Sequence, residues 1–229
     1  MSLFVIGDTH LSLSTDKPMD IFGGWKNYMQ RLEENWRSVV QPQDTVIIPG
    51  DVSWGMSLEQ AKEDFLFLHR LPGKKILMKG NHDYWWTTRA KMESFLEENG
   101  LDSLSILHNN AVSVEGLSLC GSRGWMFEQG QEHDKKIINR EAGRIRASLQ
   151  DAQRFGEQEK VLFLHYPPVF MQDSIPEFFE VMNQYGVRRC YCGHIHSQGC
   201  RFAFQGEWCG VQLEMVSADY LRFMPKKIG

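Results

Sequence analysis

The chain carries five short runs rich in apolar residues, and a turn with a carboxylate, an amide or an imidazole follows each of them. Such runs of four or five residues before a turn are typical of buried strands. The runs span residues 3–7, 45–48, 75–78, 161–164 and 189–192. Sheets with parallel strands place ligand sites at the carboxyl ends of those strands. We therefore expect a sheet-based fold in which the polar strand ends meet at one site.

Helix signals lie between the first three predicted strands. Tyr28, Leu32 and Trp36 recur at helical spacing with charged residues between them, which predicts an amphipathic helix. Ser57 followed by Gln60 has the sequence of a capping box at a helix start. A further helix is predicted over residues 88–98. The resulting β-α-β-α-β-α order indicates parallel strands joined by crossover helices.

The second half of the chain has a different pattern. Turn residues between short apolar runs predict more antiparallel pairing there. Strands are predicted at residues 103–107, 111–120, 201–204, 208–216 and 221–224. A loop is predicted over residues 121–132 and a long charged helix over residues 134–155. A further helix is predicted after Ser174, with Ser174 and Glu177 as its capping pair.

Composition describes an ordinary globular chain with no strong charge bias. Hydrophobic residues make up 42% and charged residues 24% of the 229 residues, and the net charge is −4. This balance disfavours an extended nucleic-acid partner, but it is compatible with a small anionic substrate held by metal ions. No linker or repeat divides the chain, so one domain over residues 1–229 is predicted. The sequence does not indicate an oligomeric state.

The cellular location is predicted from segments that the sequence lacks. The apolar opening run is too short for a signal peptide, and no run approaches the length that spans a bilayer, so no membrane association is expected. Five cysteines are an odd number for a disulfide framework. We expect reduced thiols and a cytoplasmic protein.

The predicted strand ends carry a set of side chains suited to metal coordination. They are Asp8, His10, Asp51, Asn81, His82, His165, His194 and His196. Each residue alone has an ordinary structural explanation, as a turn aspartate, a capping asparagine or a buried histidine. Five such strand ends in succession instead predict a metal site. Carboxylate, imidazole and amide donors together suit Mn, Fe or Zn rather than calcium.

Two cysteines allow a rival zinc site in the segment Cys190-x-Cys192-x-His194-x-His196. Alternate residues of a strand share one face but span too great a distance to converge on a single tetrahedral ion. We therefore expect buried structural thiols at Cys190 and Cys192. His69 and His108 are expected to be structural, and His133 is expected to be solvated.

The motif series resembles that of the calcineurin-like metallophosphoesterase superfamily, and more narrowly a bacterial phosphohydrolase-like branch. The matching segments are Asp8-Thr9-His10, Gly50-Asp51, Gly80-Asn81-His82-Asp83, His165 and Gly193-His194-Ile195-His196. The resemblance implies an α/β protein of the α+β type. Its core would be a two-sheet β-sandwich of mixed strands flanked by helices, with a dinuclear metal site at the strand ends.

The resemblance also implies roles for individual residues. One of two divalent or trivalent transition-metal ions would be held by Asp8, His10 and His196. The other would be held by Asn81, His165 and His194, with Asp51 bridging both. His82 would act on the leaving oxygen as a catalytic residue. Many members have an aspartate that orients this histidine where the chain has Trp54, so Asp83 or a backbone carbonyl is expected to orient His82.

The implied activity is phosphoester hydrolysis. A metal-bridging hydroxide would attack a small phosphorylated substrate, either a phosphomonoester or a phosphodiester. A nuclease of the same fold and a non-catalytic metal-binding scaffold are the alternatives. Arg123 offers a guanidinium suited to phosphate recognition, and an ion pair with surface acids is the equally weighted structural explanation for it.

Overall fold

The computed structural model describes residues 1–126, 132–171 and 173–229. It describes the backbone but not the side chains of residues 132 and 133. The sequence predicts a loop over residues 121–132, and residues 127–131 of it lie outside the described residues. The predicted solvation of His133 concerns a side chain that is also outside them. The first two residues of that predicted loop belong to a strand instead.

The described residues form five α-helices and thirteen short strands. The helices are α1 (Tyr28–Val39), α2 (Leu58–Arg70), α3 (Arg89–Glu98), α4 (Glu132–Asp151) and α5 (Pro176–Gln184). The strands are β1 (Leu3–Val5), β2 (Thr45–Ile48), β3 (Lys74–Leu77), β4 (Leu104–Ile106), β5 (Ala111–Val114), β6 (Leu117–Ser122), β7 (Glu159–Leu164), β8 (Val169–Phe170), β9 (Asp173–Ser174), β10 (Arg189–Cys192), β11 (Gly206–Trp208), β12 (Val211–Met215) and β13 (Lys226–Lys227).

Two large sheets contain eleven of these strands, and β8 and β9 form a separate ribbon. The first sheet has the order β13-β1-β2-β3-β4, and the second has the order β11-β12-β10-β7-β6-β5. Strands β1 to β4 are parallel, as are β12, β10, β7 and β6, and antiparallel strands stand at sheet edges. The predicted parallel β-α-β order of the first half is therefore confirmed.

Successive side chains of a strand point to opposite faces of its sheet, and the buried ones form three hydrophobic clusters. In β1, Leu3 and Val5 pack with Phe163 of β7 in a cluster between the two sheets. The intervening Phe4 faces the helices that cover the first sheet, where it shares a cluster with Trp36 of α1. A third cluster joins the second sheet to α4 and α5. Since a strand points successive side chains to opposite faces, this pattern gives two stacked sheets with helices on both outer faces.

Local signals set the helix starts. Ser57 accepts a hydrogen bond from the backbone N–H of Gln60 at 3.3 Å and begins α2, as the capping sequence predicts. Thr88 accepts the backbone N–H of Lys91 at the start of α3. The predicted cap at Ser174 is wrong. Ser174 lies in β9, and α5 begins at Pro176 in the first helical position, where a fixed φ suits a helix start.

Other predictions for the second half are also corrected by the structure. Strand β4 is parallel to β3, because α3 makes a crossover between them. Residue 201 ends the 3₁₀ helix Ser197–Arg201, so no strand spans residues 201–204. No strand forms at residues 221–224, where Arg222 and Phe223 have φ of 53° and 62°. Such left-handed backbone conformations are typical of turns.

None of the helices in the described part of the chain combines the length and apolarity that crossing a bilayer requires.

Candidate metal centre

The carboxyl ends of strands from both sheets converge, and sharp backbone turns follow them. Asp8, His10, Asp51 and His194 have φ of 56°, 44°, 51° and 73°. Non-glycine residues seldom adopt this left-handed conformation, and strained backbone of this kind clusters at functional sites. The turns therefore hold these four side chains in place at a cost in conformational energy.

Asp8, His10 and His196 form the first group of potential ligands. Their donor atoms all lie within 4.8 Å of one another. Nε2 of His10 is 3.2 Å from Nε2 of His196, and Nε2 of His196 is 3.4 Å from Oδ1 of Asp8. Oδ2 of Asp8 is buried without a hydrogen-bond partner among the described residues. This group matches the ligand set predicted for one metal ion.

Asp51, His165 and His194 form the second group, again with donor atoms within 4.8 Å of one another. Asn81 belongs with them, because its Oδ1 lies 2.6 Å from Nε2 of His165 and 2.9 Å from Nδ1 of His194. The four side chains thus offer one carboxylate, one amide oxygen and two imidazoles at a single point.

Asp51 connects the two groups. Its Oδ2 lies 3.6 Å from Nε2 of His10 in the first group and 3.6 Å from Nε2 of His165 in the second. Its other oxygen accepts the backbone N–H of His82 at 2.8 Å. One carboxylate oxygen therefore lies between the two groups, in the position that a bridging ligand requires.

Two glycines allow the backbone to approach these carboxylates. A Cβ at Gly80 would overlap Oδ1 of Asp51, and a Cβ at Gly193 would overlap Oδ2 of Asp8. Both glycines come from the motifs singled out in the sequence, and their role is to leave room for the side chains of other strand ends.

Burial favours the neutral, metal-binding form of three of the histidines. Burial lowers the pKa values of His10, His165 and His194, the last to about 3. Neutral imidazoles are the form that binds metal ions. His196 differs because the charges of Asp8 and Asp219 outweigh its burial and raise its pKa to about 10. A cation beside Asp8 would replace the charge that His196 otherwise carries.

The two buried aspartates need positive charge nearby. Burial and the charge of Asp8 raise the pKa of Asp51 to about 8. Asp8 is also fully buried, and the histidines around it lower its pKa. Two close carboxylates in a dry site repel each other unless a cation or a proton intervenes. The orphaned oxygen of Asp8, the mixed donors and this charge arrangement together fit a pair of transition-metal ions.

Hydrogen bonds outside the two groups orient the imidazoles. Nδ1 of His165 lies 3.2 Å from the carbonyl oxygen of Pro49, and Nδ1 of His196 lies 2.9 Å from Oδ1 of Asp219. Each bond leaves Nε2 directed into the site, as is usual for metal-binding histidines. The sequence analysis missed Asp219. Its position shortly after the apolar strand β12 repeats the pattern of the other strand ends and could have identified it.

Asp83 has a different role from the predicted one. Its carboxylate accepts hydrogen bonds from five N–H groups, belonging to Gly80, Asp51, Val52, Ser53 and the indole of Trp85. It therefore joins the turn after β2 to the turn after β3 and does not orient His82.

Aromatic packing holds His82 instead. Among the described residues, Nδ1 of His82 is buried without a hydrogen-bond partner, so neither Asp83 nor a backbone carbonyl orients the ring. The ring centroid lies 4.4 Å from that of Trp54 and 5.7 Å from that of His10. Trp54 also stacks on His10 at 5.0 Å. The tryptophan that replaces the usual aspartate thus packs against both a predicted ligand and the predicted catalytic histidine.

Arg123 lies beside the second group. Its carbonyl oxygen accepts the backbone N–H groups of His165 and Tyr166 at 3.1 and 2.9 Å. Its guanidinium lies over the rings of Trp125 and Tyr166 at 5.3 and 5.9 Å. Within the described residues no carboxylate lies at ion-pair distance from it, so the alternative explanation by a surface ion pair finds no support there.

The rival zinc site does not form in the described residues. Cys190 and Cys192 are buried among the residues that pack the second sheet against α4 and α5, with their sulfur atoms 3.8 Å apart. His194 and His196, by contrast, belong to the two separate metal-ligand groups. The cysteines are core thiols, and burial raises the pKa of Cys190 well above its ordinary value.

Two stacked sheets with flanking helices and paired Asp/His groups at the strand ends define a metallophosphoesterase fold. A sequence model of the family described as calcineurin-like phosphoesterase matches residues 1–198. The chain belongs to this family, and the predicted resemblance and fold class are confirmed. Asp219 lies beyond the matched segment.

Solved structures support the fold. The chain is similar to the protein of unknown function AQ665 from Aquifex aeolicus, with 16% identity, a TM-score of 0.54, and coverage of 99% of this chain and 95% of that one. It is also similar to TT1561 of Thermus thermophilus, with 10% identity, a TM-score of 0.56, and coverage of 99% and 97%. At these identities the likeness concerns the fold alone. A search of curated protein sequences found no significant match.

Proposed function

We propose that this protein is a metal-dependent phosphohydrolase that cleaves a phosphomonoester or a phosphodiester. The family consists of phosphoesterases, which supports hydrolysis of phosphate esters in general. The observation that carries the proposal is the pair of Asp/His groups joined by a single oxygen of Asp51. Two adjacent cation sites suit in-line displacement at phosphorus, because such sites stabilise both the attacking and the leaving oxygen.

The ligand residues divide between two ions of Mn, Fe or Zn. Asp8, His10 and His196 would hold one ion, and Asn81, His165 and His194 would hold the other, with Asp51 contributing to both. When bound, such ions supply Lewis-acid activation of water and of the phosphoryl oxygens. The protein itself fixes the donors through strained turns and through the hydrogen bonds that His165 and His196 donate to the carbonyl of Pro49 and the carboxylate of Asp219.

His82 and Arg123 act on the substrate in this proposal. His82 lies against His10 and Trp54 at the edge of the first group, where it can donate a hydrogen bond or a proton to the leaving oxygen. Arg123 lies beside the second group, where its guanidinium can bind phosphoryl oxygens in a bidentate manner. Neither His82 nor Arg123 belongs to the two groups of potential metal ligands.

We also propose a cytoplasmic location. All five cysteines are free in the structure, and three of them are buried core residues. Reduced thiols of this kind are typical of a reducing compartment.

A comparison of Asp51→Asn with the unmodified protein tests the function. With Mn²⁺ present, the unmodified protein is expected to hydrolyse bis(p-nitrophenyl) phosphate. The variant loses the shared anionic ligand, so we expect the rate to fall at least about 100-fold and the bound metal to decrease. Metal content is measured by elemental analysis of the purified proteins.

Asp102→Asn is the control for this comparison, because the Asp102 side chain is 93% exposed and belongs to neither group. Normal turnover with two bound ions in Asp51→Asn would refute the bridging assignment. Absence of phosphoester hydrolysis in a fully metal-loaded protein would favour the non-catalytic scaffold. Efficient cleavage of single-stranded DNA in the same assay would favour the nuclease.

A further inference from the structure

A cavity of about 230 Å³ is lined in part by Lys79 and Arg123, which adjoin the second ligand group. We call it the cationic pocket, because four of its lining residues carry positive charge: Lys79, Arg123, Arg140 and Arg144. Glu141 is the one carboxylate in the lining that the structure describes. Met78, Leu107, His108, Asn109 and Ser122 complete the wall.

The single carboxylate leaves most of this charge unbalanced. Glu141 is fully buried, accepts a hydrogen bond from the hydroxyl of Ser122 at 2.9 Å and pairs with Arg144. Within the described part of the chain, no carboxylate lies at ion-pair distance from Lys79, Arg123 or Arg140. Nε of Arg123 is buried and has no hydrogen-bond partner there. Among the described residues, these three cations therefore line the cavity without an ion-pair partner of their own.

His108, which also lines the cavity, experiences the same excess of positive charge. Its pKa is lowered by burial and then by Arg144, Lys79 and Arg89, with Glu141 as the opposing charge. Guanidinium and ammonium groups crowded in this way repel one another, and a bound anion would remove the repulsion. An arginine-rich cavity suits a phosphoryl group in particular, since guanidinium binds its oxygens in a bidentate manner.

The cationic pocket shares two chain segments with the metal centre. Lys79 directly precedes the Gly80-Asn81-His82 turn, and Asn81 is in the second ligand group. Arg123 accepts the backbone N–H of His165, another member of that group, through its carbonyl oxygen. The wall of the pocket and the second ligand group are thus joined through Lys79 next to the turn and through the backbone of Arg123.

We propose that the cationic pocket binds a second phosphoryl group of the substrate, so that the substrate class is a small molecule carrying two phosphoryl groups. One group is hydrolysed at the metal centre while the other is held by Lys79, Arg123 and Arg140. This inference rests on the proposed phosphohydrolase function and narrows its substrate.

Binding of phosphonates, which are not hydrolysed, tests the inference without turnover. Calorimetry on the metal-loaded full chain compares alkane bisphosphonates of one to six carbons with the matched alkylphosphonates. We expect at least one bisphosphonate to bind about tenfold more tightly than its matched monophosphonate, since a second set of charged hydrogen bonds forms. Equal affinities across the whole series would overturn the inference.

Substitutions on α4 test whether the tighter binding of bisphosphonates depends on the cationic pocket. Arg140 is exposed, so Arg140→Gln should fold normally, and we expect it to reduce the bisphosphonate advantage about tenfold. Arg140→Lys keeps the charge and should retain part of the advantage. Arg146→Gln is the matched control, because Arg146 is exposed on the same helix and does not line the pocket. An undiminished advantage in Arg140→Gln would contradict the proposal.

Hydrolysis separates failure of this inference from failure of the proposed function. We expect a higher kcat/KM for small bisphosphates than for the corresponding monophosphates. Equal values would overturn the inference and leave the phosphohydrolase function intact. Retained bisphosphonate binding with no hydrolysis of any phosphoester would instead overturn the proposed function, and with it the assignment of the second phosphoryl group to a substrate.

Discussion

The ring of His82 is held by aromatic packing rather than by a hydrogen bond to a carboxylate. Its ring is held by Trp54 and neighbours His10, and its Nδ1 has no hydrogen-bond partner among the described residues. Its backbone N–H is nevertheless fixed, because it donates to Asp51. Packing thus limits where the ring can lie, but a hydrogen bond does not select its tautomer.

The role of His82 can be tested through the leaving group. A p-nitrophenolate leaves without a proton, whereas an alkoxide does not. If His82 donates to the leaving oxygen, His82→Ala should reduce the single-turnover rate of an alkyl phosphoester by about 10²–10⁴-fold. The loss should be much smaller for the p-nitrophenyl ester, and both metal ions should stay bound.

Two other results would assign His82 a different role. Equal losses with both esters would indicate stabilisation of charge on the phosphoryl oxygens. Loss of bound metal in the variant would make His82 a ligand. Single-turnover rates are required because product release can otherwise hide the chemical step.

At the scale of elements, Asp83 joins the turns that follow two neighbouring parallel strands. Its oxygens accept the backbone N–H of Gly80 after β3 and of Asp51, Val52 and Ser53 after β2. Because these turns carry Asp51 and Asn81, the carboxylate sets the spacing between the shared ligand and a member of the second group. We interpret Asp83 as a positioning residue.

Asp83→Asn tests this interpretation. The amide can accept hydrogen bonds at only one atom, so buried N–H groups would lose their acceptor at the other. We expect the free energy of unfolding to fall by about 2–4 kcal/mol, measured by urea denaturation, together with weaker metal binding. Asp102→Asn again serves as the exposed control. Unchanged stability and metal affinity in Asp83→Asn would show that the two turns hold their spacing without it.

The strand ends were predictable where a local signal was present. A short apolar run followed by a polar turn placed β1, β2, β3, β7 and β10 correctly along the chain. The partners that those side chains meet come from other strands, so the sequence alone could not show the five N–H groups on Asp83. Asp219 follows β12 in the same pattern and could have been singled out, but its contact with His196 could be seen only in the structure.

Two segments adopt a structure that differs from the one their local pattern predicts. Ser174 had a suitable partner in Glu177, but Pro176 fixed the start of α5 and Ser174 paired with Val169 in a ribbon. Residues 221–224 are apolar enough for a strand, yet two of them adopt left-handed backbone that no strand permits. In both segments tertiary context overrode the local pattern.

At the scale of the whole molecule, the metal centre depends on both sheets. The first sheet supplies Asp8, His10, Asp51 and Asn81, while the second supplies His165, His194 and His196. The cluster between the sheets, which includes Val5 and Phe163, therefore fixes the distance between the two halves of the site. That residues 1–229 form one domain stays a prediction.

The measurement that tests the central claim most directly is a metal titration of the chelator-treated protein. Mn²⁺ is added in steps while bound metal and hydrolysis of bis(p-nitrophenyl) phosphate are followed together. We predict little hydrolysis without metal, and activity that rises until two ions are bound per chain, as expected for two groups sharing Asp51. Full activity in the metal-free protein, or saturation of both binding and activity at one ion, would contradict this account.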